Sequence, residues 1–140
     1  MYRKRLQALL ETHDFIDFAL LFGSFANGKH KALSDIDIGI HTRDPISLLQ
    51  QGMLIADLED ALERKTDLVI LNDLYKKDAR LAFSIVDNHQ LILYTNQNAY
   101  IDFKTNAYKY YFDLQPMYEM FDKALFERIE NGTYGKAQTS

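Results

Sequence analysis

Asp35-Ile36-Asp37-Ile38-Gly39-Ile40-His41 alternates apolar and polar or small residues without a break. Successive side chains on a strand point to opposite faces. Ile36, Ile38 and Ile40 therefore share one face, and Asp35, Asp37, Gly39 and His41 share the other. The isoleucines predict a half-buried strand. They leave unexplained why the opposite face begins with two acids. Upstream, Phe18-Ala19-Leu20-Leu21-Phe22 is wholly apolar and stops at Gly23, as a buried strand does. The connection from Gly23 to Asp35 is too short for a parallel crossover, so the two strands should run antiparallel.

Working outward, Tyr2, Leu6, Leu9 and Leu10 fall on one face of an N-terminal helix. Asp44-Pro45 reads as a helix start, with Asp as N-cap and Pro at the first helical position, and the helix should run to about Arg64. Thr66 to Leu71 reads as another buried strand carrying an acid, Asp67, near its start. A helix over about Leu74 to Val86 and a strand over Leu91 to Tyr94 follow. From about 98 to 130, Phe103, Ala107, Tyr110, Leu114, Met117, Phe121 and Leu125 keep helical spacing, and Pro116 should kink or split that helix. The expected fold class is α/β (α+β): a mixed sheet of about four strands flanked by helices, with a long C-terminal helical segment.

The chain has 140 residues, 47% of them apolar and 26% charged, so one globular domain over 1–140 is expected, with its core in about 1–95. Cysteine is absent, which excludes disulfides, thiolate metal sites and cysteine nucleophiles. No apolar run is long enough to span a membrane, and no secretory pattern follows the charged N-terminus, so a cytoplasmic location is the expectation. The formal net charge of −4 argues against direct nucleic-acid binding, which rests on Lys and Arg neutralising phosphates. It leaves room for a single nucleotide held by a few local groups and a metal ion.

Asp35 and Asp37 lie two apart on a strand and so present carboxylates on the same face. If the Thr66–Leu71 strand lies alongside, Asp67 joins them. Three close carboxylates repel one another unless cations neutralise them. Hard oxygen ligands of this kind suit Mg²⁺, which binds through one or two carboxylates plus substrate phosphates. Two such ions can clamp the attacking and leaving oxygens of an in-line phosphoryl displacement. Gly23 lets a phosphate approach the backbone, and the Ser24 hydroxyl with nearby N–H groups can donate to it. Taken alone, the two acids would be solvent-facing residues of an edge strand, and Ser24 a cap or turn residue. His41, on the acid face, could touch nucleotide or metal but reads first as a plain surface or strand-end residue, and His13, His30 and His89 lack metal-ligand spacing and read as surface or loop residues.

Gly23-Ser24, ten residues, then Asp35-Ile36-Asp37 resembles the signature of the DNA polymerase β-like nucleotidyltransferase superfamily. Four fixed residues recur by chance in a chain of this length on the order of 1 time in 10³. Asp67, in Thr66-Asp67-Leu68-Val69-Ile70-Leu71, resembles that family's third acid. Most of the chain is similar to the minimal nucleotidyltransferases (MNT), the antitoxins of HEPN/MNT toxin–antitoxin pairs, including the segment Tyr111-Phe112-Asp113-Leu114-Gln115-Pro116. The resemblance implies Mg²⁺-dependent transfer of AMP from ATP to a tyrosine of a cognate HEPN ribonuclease toxin, which inactivates it. Asp35 and Asp37 would hold two metal ions. Asp67 would hold the catalytic one and orient or deprotonate the hydroxyl, while Gly23 and Ser24 would position the triphosphate. Many relatives carry a basic residue where Asn27 stands, and Lys29 and Lys31 lie close enough to substitute.

Other functions compete. The same fold could neutralise a toxin by occlusion alone, with no chemistry. It could transfer a nucleotide to a small molecule, although 140 residues leave little room for a second substrate domain. Template-directed polymerisation fits poorly with the acidic balance. The intact triad of mutually repelling acids favours an enzyme. Helical spacing makes core packing the default for about half of the tyrosines of the C-terminal helix, while its broad aromatic face also suits a protein partner.

Overall fold

The computed structural model describes residues 2–26, 28 and 35–131. Its elements are α1 (Tyr2–Glu11), β1 (Ile16–Phe22), a 3₁₀ turn (Gly23–Phe25), β2 (Ile36–Thr42), α2 (Leu48–Leu62), β3 (Thr66–Ile70), α3 (Leu74–Lys77), α4 (Ala79–Asp87), β4 (His89–Tyr94) and α5 (Gln97–Glu130). The sheet order is β3-β2-β1-β4. β1 is antiparallel to β2 and β4, and β2 is parallel to β3. The fold is a mixed four-stranded sheet with helices on both faces and a long C-terminal helix.

The alternation in β2 decides which helices lie on which face. Ile36, Ile38 and Ile40 are fully buried and pack with Leu6 and Leu10 of α1 and Leu54, Leu58 and Leu62 of α2. Phe18 and Leu20 of β1 point the other way, into a second cluster with Leu74, Ala82, Ile85, Phe103 and Ala107 from α3, α4 and α5. Gly39 admits Leu71 to that face, because a Cβ there would meet the Leu71 side chain at 3.0 Å. The acids of β2 thus look toward the layer of α3, α4 and α5. Among the described residues, no helix is long and apolar enough to cross a membrane.

Four sequence expectations need correction. α2 begins at Leu48, not at Asp44-Pro45. Ser47 Oγ accepts from the Gln50 N–H at 3.1 Å and Gln50 Oε1 accepts from the Ser47 N–H at 2.9 Å. That reciprocal box satisfies two otherwise orphaned donors. The helix expected over 74–86 is broken at Asp78, whose extended backbone ends α3 while its carboxylate caps the Leu81 N–H at 3.1 Å. β3 is an edge strand, with Leu68, Val69 and Ile70 only partly buried. Pro116 does not split α5, which runs unbroken for 34 residues. Pro116 and Phe112 are both exposed. Water can therefore serve the Phe112 carbonyl, which the proline leaves without a helical donor.

Candidate active site

The geometry starts from the end of β1. Phe22 is opposite Asp37, so the chain leaving β1 turns directly beside that acid. Gly23 makes this turn with φ +72°. A Cβ on Gly23 would overlap the Asp37 carboxylate, with Asp37 Cγ only 3.2 Å away. Glycine is therefore required twice, for its backbone and for its missing side chain. The turn is fixed by the Ala26 N–H donating to the Gly23 carbonyl at 3.1 Å, and by Gln90 Nε2 of β4 donating to the Ala26 carbonyl at 2.9 Å. Ser24 sits in this turn, half-buried.

The third acid arrives through the parallel pairing. Asp67 is the register partner of Asp37. The start of β3 is held by the Ile36 N–H donating to the Lys65 carbonyl at 2.9 Å, and by the Thr66 N–H donating to Glu59 Oε2 at 2.9 Å. The Asp37 carboxyl is pushed above its ordinary value of 3.8. Burial is the largest cause, followed by the charges of Asp67 and Asp35 and a hydrogen bond to Asp67. Gly23, Asp35, Asp37 and Asp67 are thus brought together, as the sequence leads one to expect, with Ser24 next to them along the chain.

Among the described residues, none of the ion pairs involves these three acids, and no three His, Asp or Glu side chains already enclose a cation position. The donor set nonetheless suits Mg²⁺. Burial and two crowding like charges disfavour the charged form of the Asp37 carboxyl, and a divalent cation would relieve that repulsion. An open set of two or three carboxylates is what an ion completed by water and substrate phosphate requires.

Other candidates lie elsewhere. Asn27, Lys29, Lys31 and His30 lie outside the described residues. His41 is on the acid face but four residues along, roughly 13 Å from Asp37. There its Nδ1 meets Asp17 Oδ2 at 2.9 Å and its ring stacks on Phe18. This pair borders an open cavity of about 410 Å³, lined also by Tyr75, Asn96 and Asp102, at the end of the sheet away from the acids. Asp17 belongs to no motif in the sequence. The only signal was an acid inside the apolar run of β1. His89 is bonded rather than loose, to the Val86 carbonyl and the Tyr100 hydroxyl, each at 2.8 Å.

Comparison with known proteins adds relatives to this geometry. "Putative protein adenylyltransferase MJ0126" of Methanocaldococcus jannaschii is 40% identical over 73 residues, which is 52% of this chain and 74% of that one. A chain from a crystal structure of a toxin-antitoxin with AMP-PNP superposes with a TM-score of 0.77 at 23% identity, over 90% of this chain and 99% of that one. A chain from the complex of tri-AMPylated Shewanella oneidensis HEPN toxin with MNT antitoxin gives a TM-score of 0.69 at 21% identity, over 89% and 96%. At such identities the likeness is one of fold. The family model described as "Polymerase beta, Nucleotidyltransferase" matches residues 4–98. That match takes in every strand, the Gly23 turn and all three acids, and leaves out only the ends of the chain and most of α5. The chain therefore belongs to the polymerase β nucleotidyltransferase family.

Proposed function

We propose that this nucleotidyltransferase is a cytoplasmic antitoxin that moves AMP from ATP to a tyrosine hydroxyl of a cognate HEPN-type ribonuclease toxin. The observation that carries the reading is the packing of Asp37, flanked by Asp35 and Asp67, against the glycine turn at Gly23. It puts the backbone of the glycine turn directly beside an excess of negative charge. The relative named for protein adenylyl transfer supports a protein acceptor. The fold shared with toxin–antitoxin complexes supports the kind of partner.

Asp35 and Asp37 would hold Mg²⁺, with Asp67 sharing one ion. Bound there, Mg²⁺ supplies charge neutralisation at the α-phosphate and the leaving oxygen. The chain's own residues do the rest. Gly23 and Ser24 hold the triphosphate through backbone N–H groups and the serine hydroxyl. Asp67, exposed on the edge strand, orients the tyrosine hydroxyl and takes its proton. The tyrosine oxygen forms a bond to the α-phosphorus, the bond from that phosphorus to the bridging oxygen breaks, and pyrophosphate leaves with the electron pair. Catalysis is mainly positioning and electrostatic stabilisation.

The test is a transfer assay with ATP labelled at the α- or γ-phosphate, Mg²⁺ and a HEPN-type protein from the same genome. Label should enter the partner from α-labelled ATP alone, and Asp35→Asn with Asp37→Asn should abolish it while leaving the complex intact. Label from the γ-position would mean a kinase. A stable complex without label from either would mean neutralisation by occlusion.

A further inference from the structure

β4 carries one residue more than the strand it faces. Ala19 pairs with Leu93 and Leu20 with Leu91, so Ile92 bulges from the ladder. Ile92 and Leu93 both pack toward α1 and α2, while Leu91 packs on the other face. An unbroken ladder would set Gln90 opposite Phe22, on the face of the acids. The bulge sets it opposite Leu21, on the face of α1 and α2, and gives the place beside Phe22 to His89. Bulges next to active sites commonly re-aim a side chain in this way.

Both re-aimed side chains are held at the start of β4. The Val86 carbonyl can only accept, so His89 Nδ1 donates to it at 2.8 Å, and Nε2 meets the Tyr100 hydroxyl of α5 at 2.8 Å. Gln90, the next residue, is half-buried and reaches past the end of β1, where its Nε2 donates to the Ala26 carbonyl at 2.9 Å. The turn it meets is bracketed by Gly23 and Gly28, both at positive φ. The Ala26 N–H closes onto the Gly23 carbonyl, which shapes the turn and ties it to nothing else. Among the described residues, Gln90 supplies the side-chain hydrogen bond that ties the turn to β4, and the Ser24 hydroxyl has no partner.

We propose that Gln90 is a positioning residue for the nucleotide: it holds the Gly23–Ala26 turn in the shape that receives the triphosphate before ATP arrives. The proposal rests on the function proposed above for the identity of the ligand, and adds a residue outside the acids that sets the affinity for it. A segment bracketed by glycines loses much conformational freedom when ordered. Ordering it in advance removes that cost from binding. Gln90 acts on the turn and not on the acids, because the pairings of Asp37 with Phe22 and Asp67 hold its backbone independently. An interaction that serves the ground state and the transition state alike appears in KM and not in kcat.

The test compares Gln90→Met, which keeps the length and loses the donor, with Gln90→Glu, which also sets a negative charge against the Ala26 carbonyl. Affinity for a non-hydrolysable ATP analogue with Mg²⁺ is read by calorimetry on the chain alone. KM for ATP and kcat are read from transfer to the HEPN-type protein, and folding from thermal melting. Gln90→Met should melt like the wild type and bind the analogue about 3- to 10-fold more weakly, the effect of one hydrogen bond. KM should rise by the same factor at unchanged kcat, and Gln90→Glu should lose more affinity. Wild-type affinity in both variants overturns the proposal. So does a fall in kcat at unchanged KM, which would put the effect on the acids, and so does a loss of affinity that both variants share with a collapse in melting temperature. A wild-type chain that binds no nucleotide overturns this proposal together with the function it rests on. A wild-type chain that binds the analogue, is weakened by Gln90→Met and transfers no AMP refutes the transfer reading and leaves the role of Gln90 standing.

Discussion

Gly23→Ala tests the site from its most constrained point. Gly23 has φ +72° and Gly28 has φ +74°, so an alanine at either position must adopt left-handed backbone. That costs roughly 1–2 kcal/mol for an L residue. For a chain of this size the melting temperature should fall by about 3–8 °C in both variants. What separates them is the neighbourhood. A Cβ at Gly28 meets nothing within 4 Å, whereas at Gly23 it overlaps the Asp37 carboxylate. Asp37 cannot retreat freely, since Asp67 is its register partner and the Phe22–Asp37 pairing holds its backbone. The carboxylate must turn away by about 1 Å or more, and a misplacement of that size costs on the order of 10²-fold in rate. Gly23→Ala should therefore lose about two decades of nucleotide transfer, while Gly28→Ala loses stability and keeps its rate. The assay is labelled AMP transfer well below both melting temperatures. Transfer by Gly23→Ala within a few-fold of wild type would refute the argument, as would equal loss in both variants.

Asp37→Asn should stabilise the metal-free chain near neutral pH. The raised carboxyl of Asp37 gives stability that is complete below the ordinary value of 3.8 and is lost as pH rises through its folded value. The amide has no such loss, so melting curves of the two proteins should diverge with rising pH and converge in acid. Parallel curves would show that neither burial nor the neighbouring acids shift the Asp37 carboxyl. Phe103→Ala should cost about 3–5 kcal/mol in urea unfolding, because this ring is buried between Phe18 and Tyr75. A loss under about 1 kcal/mol would show that α5 is not part of the core. Ser47→Ala should cost about 0.5–2 kcal/mol by removing the cap of α2, while Asp44→Ala leaves stability unchanged. The reverse order would put the helix start back at Asp44.

What depends on neighbours along the chain is legible in the residues alone. The two-residue period of β2 placed Asp35 and Asp37 on one face, and the short link to β1 required antiparallel strands. The pairing of glycine with two acids at a fixed spacing carried the family. Tertiary structure decided what depends on residues distant in sequence. Asp67 joins Asp37 only because β3 pairs in parallel register with β2, and an apolar run shows no register. The same run read as buried, yet it forms an edge, because a strand's pattern does not reveal how many neighbours it has. Asp17 meets His41 across 24 residues of sequence, which no local pattern predicts. α2 starts at Ser47 because a reciprocal cap outcompetes the Asp-Pro signal. α5 keeps one periodicity along its length, although its first half is covered and its end is exposed among the described residues. Periodicity records that a face is to be buried, and only the folded structure shows against what.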